Sequence, residues 1–261
     1  MEKSSNNAIF VENLYFSYGE RTILKNLSFS IKKGELWGLM GANGSGKSTL
    51  LRCLLNFLKA DYKTFCILNT NAKKISIAKF AKLVAFVPQE HKLSFSFLAK
   101  EVVLMGRTPF MGGIFGLSKQ DIKKAKEALD LLNIAHLANQ SFLSLSGGER
   151  QLVLIARAIA QDTPIILLDE PTSALDFHNQ ILFWKTLQKL KKNGKTIFVC
   201  CHEPNHILWF CSHALALQNG EIYNQGKVKD VINSQMLKDI YKGNYAICEV
   251  KNQSIIYFPL L

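Results

Sequence analysis

An α/β fold, with a mainly parallel sheet, an N-terminal antiparallel β-subdomain and an inserted helical subdomain, is what this 261-residue sequence predicts. Three observations carry the prediction. A glycine-rich run, GANGSGKST from Gly41 to Thr49, lies between an apolar run at 36–40 and a segment of helical character at 50–58. Continuous apolar runs at 83–87 and 164–168 are bounded by turns and charge, as buried parallel strands are. From about residue 92 to 145 the pattern changes from strand to helix, so residues 1–91 and 146–261 read as one core interrupted by an insert. A single domain with a subdomain suits this length.

The elements follow in order. Segments 9–18 and 23–31 alternate as strands do, most clearly at Leu27, Phe29 and Ile31, with a turn from Lys32 to Glu35. Together they read as an antiparallel flap beside the main sheet. A strand is expected at 64–68, although its flanking turns are poorly marked. Another at 83–87 ends at Pro88 and Gln89. Residues 100–106 read as a helix, and Gly112, Gly113 and Gly116 as the loop after it. Ser118 opens a second helix, with Asp121 three residues on as a near capping box. Ile122, Ala125, Leu129 and Leu132 predict its apolar stripe. Lys119, Lys123, Lys124 and Lys126, alternating with Asp121 and Glu127, predict its solvated face. LSGGERQ (145–151) precedes a periodic helix running to about Ala160. The apolar run that follows delivers Asp169 and Glu170 to the carboxyl end of a strand, where open α/β sheets place ligands. A helix at 177–192, a strand at 196–201 ending on His202, and a hairpin turning at Asn219-Gly220 complete the reading.

The strand, glycine loop and helix around 41–49 form the context that a phosphate-binding P-loop requires. Gly41, Gly44 and Gly46 let the backbone curl so that successive N–H groups point inward at an anion. The helix start adds its unpaired N–H groups and positive dipole end. Lys47 is then placed to reach the β- and γ-phosphates, and the Ser48 hydroxyl to bind Mg²⁺.

Composition narrows the class. The formal charge of +12 favours anionic partners, but lysines spread over solvated faces explain it as well. Six cysteines form no CxxC pair and sit mostly in apolar stretches, as reduced buried thiols do. Neighbours on a strand point to opposite faces, which argues against a metal site at Cys200, Cys201 and His202. The N-terminus has no signal-peptide core, and no run approaches the ~20 apolar residues of a membrane span.

Four elements stand in order: GANGSGKST, Gln89, LSGGERQ, and IILLDEP with His202 beyond. Over nearly the whole chain they resemble the ATP-binding subunit of ABC transporters, built on a P-loop NTPase core. The resemblance implies ATP and Mg²⁺ as ligands, and roles at the matching positions. Tyr18 would stack on adenine, and Gly41, Ala42, Asn43, Gly44, Ser45, Gly46, Lys47, Ser48 and Thr49 would cradle the phosphates. Gln89 would link the γ-phosphate and metal to the helical subdomain. Ser146, Gly147 and Gly148 would form the signature loop, Asp169 would hold the metal with Ser48, and Glu170 would be the general base. Asp176 would close the D-loop, and His202 would contact the γ-phosphate.

The resemblance further implies a head-to-tail homodimer in which each ATP lies between one chain's P-loop and the other's signature loop. VVLMGRTPF (102–110), LDFHNQ (175–180) and HEPNH (202–206) are similar to importer subunits for iron–siderophores, haem or cobalamin, with molybdate in a related group. That branch implies two membrane permease subunits, a substrate-binding protein acting on them, and a peripheral position on the cytoplasmic face of the inner membrane. The segment from Gln89 to Arg107 would dock the permease. An exporter or lipoprotein-release ATPase shares these catalytic motifs. A nucleic-acid-acting relative would carry inserts or a second motif set absent from this sequence. Cys200 and Cys201 replace the hydroxyl residues common before the histidine, Glu203 replaces the usual aspartate, and 59–68 lacks a proline-glycine turn.

Overall fold

The computed structural model describes residues 5–89, 96–111 and 116–242, and the backbone of 245–250 and 254–259. The chain divides into two compact units, one made of Met1–Ile75 with Thr196–Leu261 and the other of Ser76–Lys195.

The first unit opens with the hairpin of β1 (Asn7–Tyr18) and β2 (Arg21–Lys32), paired antiparallel with Val11 opposite Phe29 and Leu14 opposite Leu27. Leu27, Phe29 and Ile31 are fully buried, as their alternation predicts. β3 (Leu36–Gly41) is buried at every position, and α1 (Lys47–Leu54) follows the glycine loop. The poorly marked stretch beyond it folds as β4 (Thr64–Ile67) and β5 (Thr70–Asn71), joining the hairpin in the order β2-β1-β4-β5. Leu68 and Asn69 make the tight turn between them with φ of 46° and 65°. A leucine carries no turn signature, which is why this turn is hidden from sequence reading.

The second unit begins with α2 (Ile77–Ala81), capped by Ser76, and β6 (Val84–Val87). α3 (Ala99–Leu104) runs into a 3₁₀ segment over Met105–Phe110. α4 (Lys119–Leu131), α5 (Gly147–Ala160), β7 (Ile165–Asp169) and α6 (Phe177–Lys192) follow. β6 and β7 pair in parallel, with Ala85 opposite Ile166. α5 buries Leu152, Val153, Leu154, Ile155 and Ala156 on successive positions, so it is apolar nearly all round. A helix of that kind belongs in an interior, and α3, α4, β6 and the 3₁₀ segment pack against it. Gly112 and Gly113 lie outside the described residues.

α4 departs from its expected stripe in one place. Ile122 is 54% exposed, and the buried line runs instead through Asp121, Ala125, Ala128 and Leu129 to Leu132. Asp121 is therefore not part of a solvated face. It completes a capping box with Ser118 and also accepts a hydrogen bond from Arg107 Nε at 2.8 Å, so the first buried position goes to a charge with partners. The Ser118 hydroxyl, Arg107 and the Ser118 N–H hold the Asp121 carboxyl down to about 2, below its ordinary 3.8. A depressed carboxyl contributes stability that is full above the ordinary value and is lost as pH falls through about 2. Asp121→Asn is accordingly expected to cost about 3 kcal/mol at neutral pH, by leaving the buried Arg107 charge without its counter-charge. The gap between variant and wild type should narrow between pH 4 and 2, as urea unfolding at several pH values would show.

The chain re-enters the first unit with β8 (Thr196–Cys200), α7 (Pro204–Phe210), β9 (His213–Gln218) and β10 (Glu221–Lys227). The order is β10-β9-β3-β8, with β3 parallel to both of its neighbours and β9 antiparallel to β10. Asn219 and Gly220 both take positive φ in the β9–β10 turn, as expected. α8 (Val228–Val231), α9 (Ser234–Tyr241) and a backbone hairpin of β11 (Tyr245–Val250) and β12 (Ser254–Pro259) close the chain. Cys53, Cys66, Cys200, Cys201 and Cys211 are buried free thiols. Cys248 has no described side chain. Among the described residues no helix is long and apolar enough to cross a membrane.

Candidate nucleotide-binding site

In the first unit, the loop from Gly41 to Gly46 leaves β3 and enters α1. Its shape depends on missing side chains at two glycines. Gly41 has φ 151°, and a Cβ there would overlap the Leu217 carbonyl oxygen and come within 2.6 Å of Ser45 Oγ. Gly46 has φ 102° and is the N-cap of α1, where a Cβ would lie 2.7 Å from Leu24. Any other residue would fill the cradle or force it open.

Lys47 is only 5% exposed, and its ammonium donates to the carbonyl oxygens of Gly41 (2.9 Å) and Ala42 (3.0 Å). Ser45 is 4% exposed, and its Oγ finds no hydrogen-bond partner among the described residues. A buried hydroxyl without a partner inside a glycine cradle suits an anion that supplies one. Ser48 and Thr49 follow in the first turn of α1, and Ala42, Asn43 and Gly44 complete the loop.

Two further expected residues belong to the same unit. β8 lies beside β3 with Cys200 opposite Leu39, and the Cys201 N–H donates to the Leu39 carbonyl at 3.1 Å. His202 therefore leaves the sheet on the edge where Gly41 begins the loop, and it is exposed. Tyr18 sits at the turn end of the β1–β2 hairpin, 48% exposed, with its ring edge-on to Phe16.

The second unit gathers the carboxylates. Asp169 ends β7 and is 3% exposed, while Glu170 lies one residue past the strand and is 9% exposed. Glu170 takes φ 50°, a conformation that costs a residue with a Cβ. Its carboxylate accepts a 2.7 Å hydrogen bond from the Gln89 amide, across 81 positions of sequence. Its carbonyl accepts from both the N–H and the hydroxyl of Ser173, closing a tight turn.

The signature loop is built as a reciprocal cap. The Ser146 N–H donates to Glu149 at 2.8 Å, and the Glu149 N–H donates to Ser146 Oγ at 3.3 Å. The Ser146 N–H, and then its side chain, lower the Glu149 carboxyl. Gly147 faces open space, and Gly148 sits where a Cβ would be 3.0 Å from the Ala174 carbonyl. Asp176 caps α6, accepting from the Asn179 N–H at 2.8 Å.

Oxygen donors suit Mg²⁺: beside the cradle the Ser48 hydroxyl is one, and within the second unit the Asp169 carboxylate and the Gln89 carboxamide are others. The cradle of the first unit therefore fits a triphosphate, and Ser48 beside it fits the metal that accompanies one.

The ABC transporter family pattern matches residues 24–173, more than half of the chain. The chain belongs to the ABC transporter family. It is an ATP-binding cassette of that family, whose members are ATPases coupled to transport. It is similar to the iron(3+)-hydroxamate import ATP-binding protein FhuC of Bacillus subtilis, with 34% identity over 90% of this chain and 88% of that one. Among solved structures it is similar to a metal-chelate type ABC transporter in an inward-facing conformation. That match has a TM-score of 0.84 at 33% identity and covers 98% of each chain. A dimeric bacterial cassette, MJ0796, matches with a TM-score of 0.75 at 32% identity, covering 84% of this chain and 98% of its own.

Two side chains that shape the cassette's loops have no role in the sequence reading. Arg150 donates to the carbonyls of Leu145 (2.8 Å) and Leu143 (3.1 Å), holding the entry to the signature loop. Gln180 donates to those of Leu175 (3.0 Å) and Thr172 (3.3 Å), bracing the turn before α6. Both lie inside motifs recognisable by sequence, LSGGERQ and LDFHNQ, which was the available signal.

Proposed function

We propose that this chain is the ATP-hydrolysing subunit of an ABC importer for an iron–siderophore, haem, cobalamin or a related metal chelate or oxyanion. The observation that carries nucleotide binding is the glycine cradle with the unpartnered Ser45 hydroxyl inside it. The import reading rests on likeness to FhuC and to the metal-chelate transporter over nearly the full chain.

The residue roles follow from phosphoryl-transfer chemistry, which needs positioning and charge neutralisation rather than covalent catalysis. The loop N–H groups and Lys47 hold the phosphates, and Tyr18 offers a π-face to the base. Ser48 and Asp169, with Gln89, would hold Mg²⁺, which would supply charge neutralisation to the phosphates. Glu170 orients the attacking water and takes its proton, while Gln89 steadies that carboxylate. His202 donates to the γ-phosphate. Ser146, Gly147 and Gly148 present a helix start to the triphosphate of a second copy, with Asp176 at the same interface. A two-fold, head-to-tail homodimer then has two equivalent sites.

The dimer works beneath two permease subunits at the cytoplasmic face of the membrane. A substrate-binding protein supplies the cargo, and no nucleic acid is involved. The test is uptake in cells whose only copy carries Glu170→Gln, offered labelled iron–siderophore, haem, cobalamin and molybdate. Loss of one substrate is expected. Normal entry of all four, with no redundant system present, would leave the exporter reading in its place.

A further inference from the structure

α5 has the signature loop at its N-terminus, and its C-terminal end is held in an unusual way. Arg107 and Asp121 are 7% and 5% exposed, so this is a buried ion pair. The guanidinium is shared between two elements. Its Nε donates to Asp121 Oδ1 at 2.8 Å, at the start of α4. Its Nη1 donates to the carbonyl oxygens of Ala160 (2.9 Å) and Gln161 (3.0 Å), the last residue and the C-cap of α5.

Those are carbonyls that a helix end leaves without partners, at the negative end of its dipole. The Phe110 ring covers the guanidinium, its centroid 4.2 Å away. Gly106 brings the 3₁₀ segment so close to α5 that a Cβ would overlap the Arg157 carbonyl oxygen. Gln161 in turn donates to Ala81 (2.6 Å) and Val84 (3.2 Å), tying the same helix end to the entry of β6.

A buried ion pair is a poor source of stability, since apolar groups of similar volume hold a core as well or better. What this one supplies is a fixed position for a helix end, set by three directional bonds from one planar group. α5 has 14 residues and so spans about 21 Å at 1.5 Å per residue. A rigid rod held at one end carries a small tilt there to its other end, where Ser146 and Gly148 lie.

We propose that Arg107 is a positioning residue for hydrolysis: by clamping the C-terminal end of α5 onto Asp121, it sets the place of the signature loop at the opposite end. This rests on the reading of Ser146, Gly147 and Gly148 as a triphosphate contact. A lysine at 107 keeps the charge but cannot present the fork, and an apolar pair at 107 and 121 keeps the packing but not the clamp.

The test compares the full-length wild type, Arg107→Lys and the double variant Arg107→Met with Asp121→Leu. Melting temperature is measured for each, and ATP affinity and ATP turnover are measured well below it. The double variant should melt near the wild type and bind ATP within about twofold, while turnover falls about tenfold or more and Arg107→Lys falls between. Turnover per folded molecule within about twofold of wild type in the double variant overturns the proposal, because the pair then serves stability alone. If the double variant does not fold, Arg107→Lys carries the test with the same criterion.

Amide exchange at residues 146–150 provides a readout that does not depend on activity. About tenfold faster exchange in Arg107→Lys is expected, and unchanged exchange overturns the clamp. If the wild type itself shows no Glu170-dependent turnover, the proposed function fails, and the exchange arm still decides the clamp.

Discussion

Glu170→Gln is expected to reduce ATP turnover by about 10²–10⁴-fold, the range over which a positioned general base contributes. The substitution isolates the chemistry. The Glu170 carboxylate accepts a hydrogen bond from Gln89, and a carboxamide oxygen at the same place still accepts it, more weakly. The backbone at φ 50° demands the same of either residue. Melting temperature and ATP affinity should therefore stay close to those of the wild type while turnover collapses. With ATP–Mg²⁺ saturating, the stalled variant should also accumulate as a dimer, which light scattering would detect. A variant that hydrolyses ATP at the wild-type rate would remove Glu170 from the proposed base role.

Lys47→Ala is the second large effect, and it acts on binding. The Lys47 ammonium satisfies the Gly41 and Ala42 carbonyls from inside the loop. Its removal strips one buried and one half-buried acceptor of a charged donor and takes a cation from the cradle. Charged hydrogen bonds of this kind contribute roughly 1.5–3 kcal/mol each, so ATP affinity should fall by about 100-fold if one such contact to phosphate is lost. Thermal shift provides the measurement. Ligand at about 100 times its dissociation constant stabilises a protein by about 2.7 kcal/mol, a shift the wild type should show and Lys47→Ala should not at the same ATP concentration. An unchanged shift would mean that Lys47 only staples the loop.

Much of the candidate site was legible in the sequence because its parts are local. A phosphate cradle is made by consecutive N–H groups, so the spacing of Gly41, Gly44 and Gly46 carries it directly. The caps at Ser118 and Ser146 are likewise three-residue signals. The hidden parts depend on tertiary distance. The hydrogen bond from Gln89 to Glu170 spans 81 positions, and the pairing of Arg107 with Asp121 turns an apparent surface aspartate into a buried one. That pairing also explains Ile122. Helical periodicity marks a face only to within about one position, and a well-partnered charge displaced the leucine-like residue from the interior. The β4–β5 turn escaped because Leu68 and Asn69 adopt left-handed backbone without glycine. Beyond Tyr223 the chain offered no motif, and its α8, α9 and terminal hairpin were not anticipated.

The left-handed backbone at Glu170 sets heat tolerance and turnover against each other at one position. Asparagine or glycine adopts that backbone more readily than glutamate, by an amount on the order of 1 kcal/mol. Either would remove the carboxylate. A laboratory selection for survival on heating alone would favour replacing Glu170, and on the proposed base role every such gain would yield a hardier protein with no transport to power. With Glu170 in the proposed base role, chemistry is what holds this position to a backbone that another residue would adopt at lower cost.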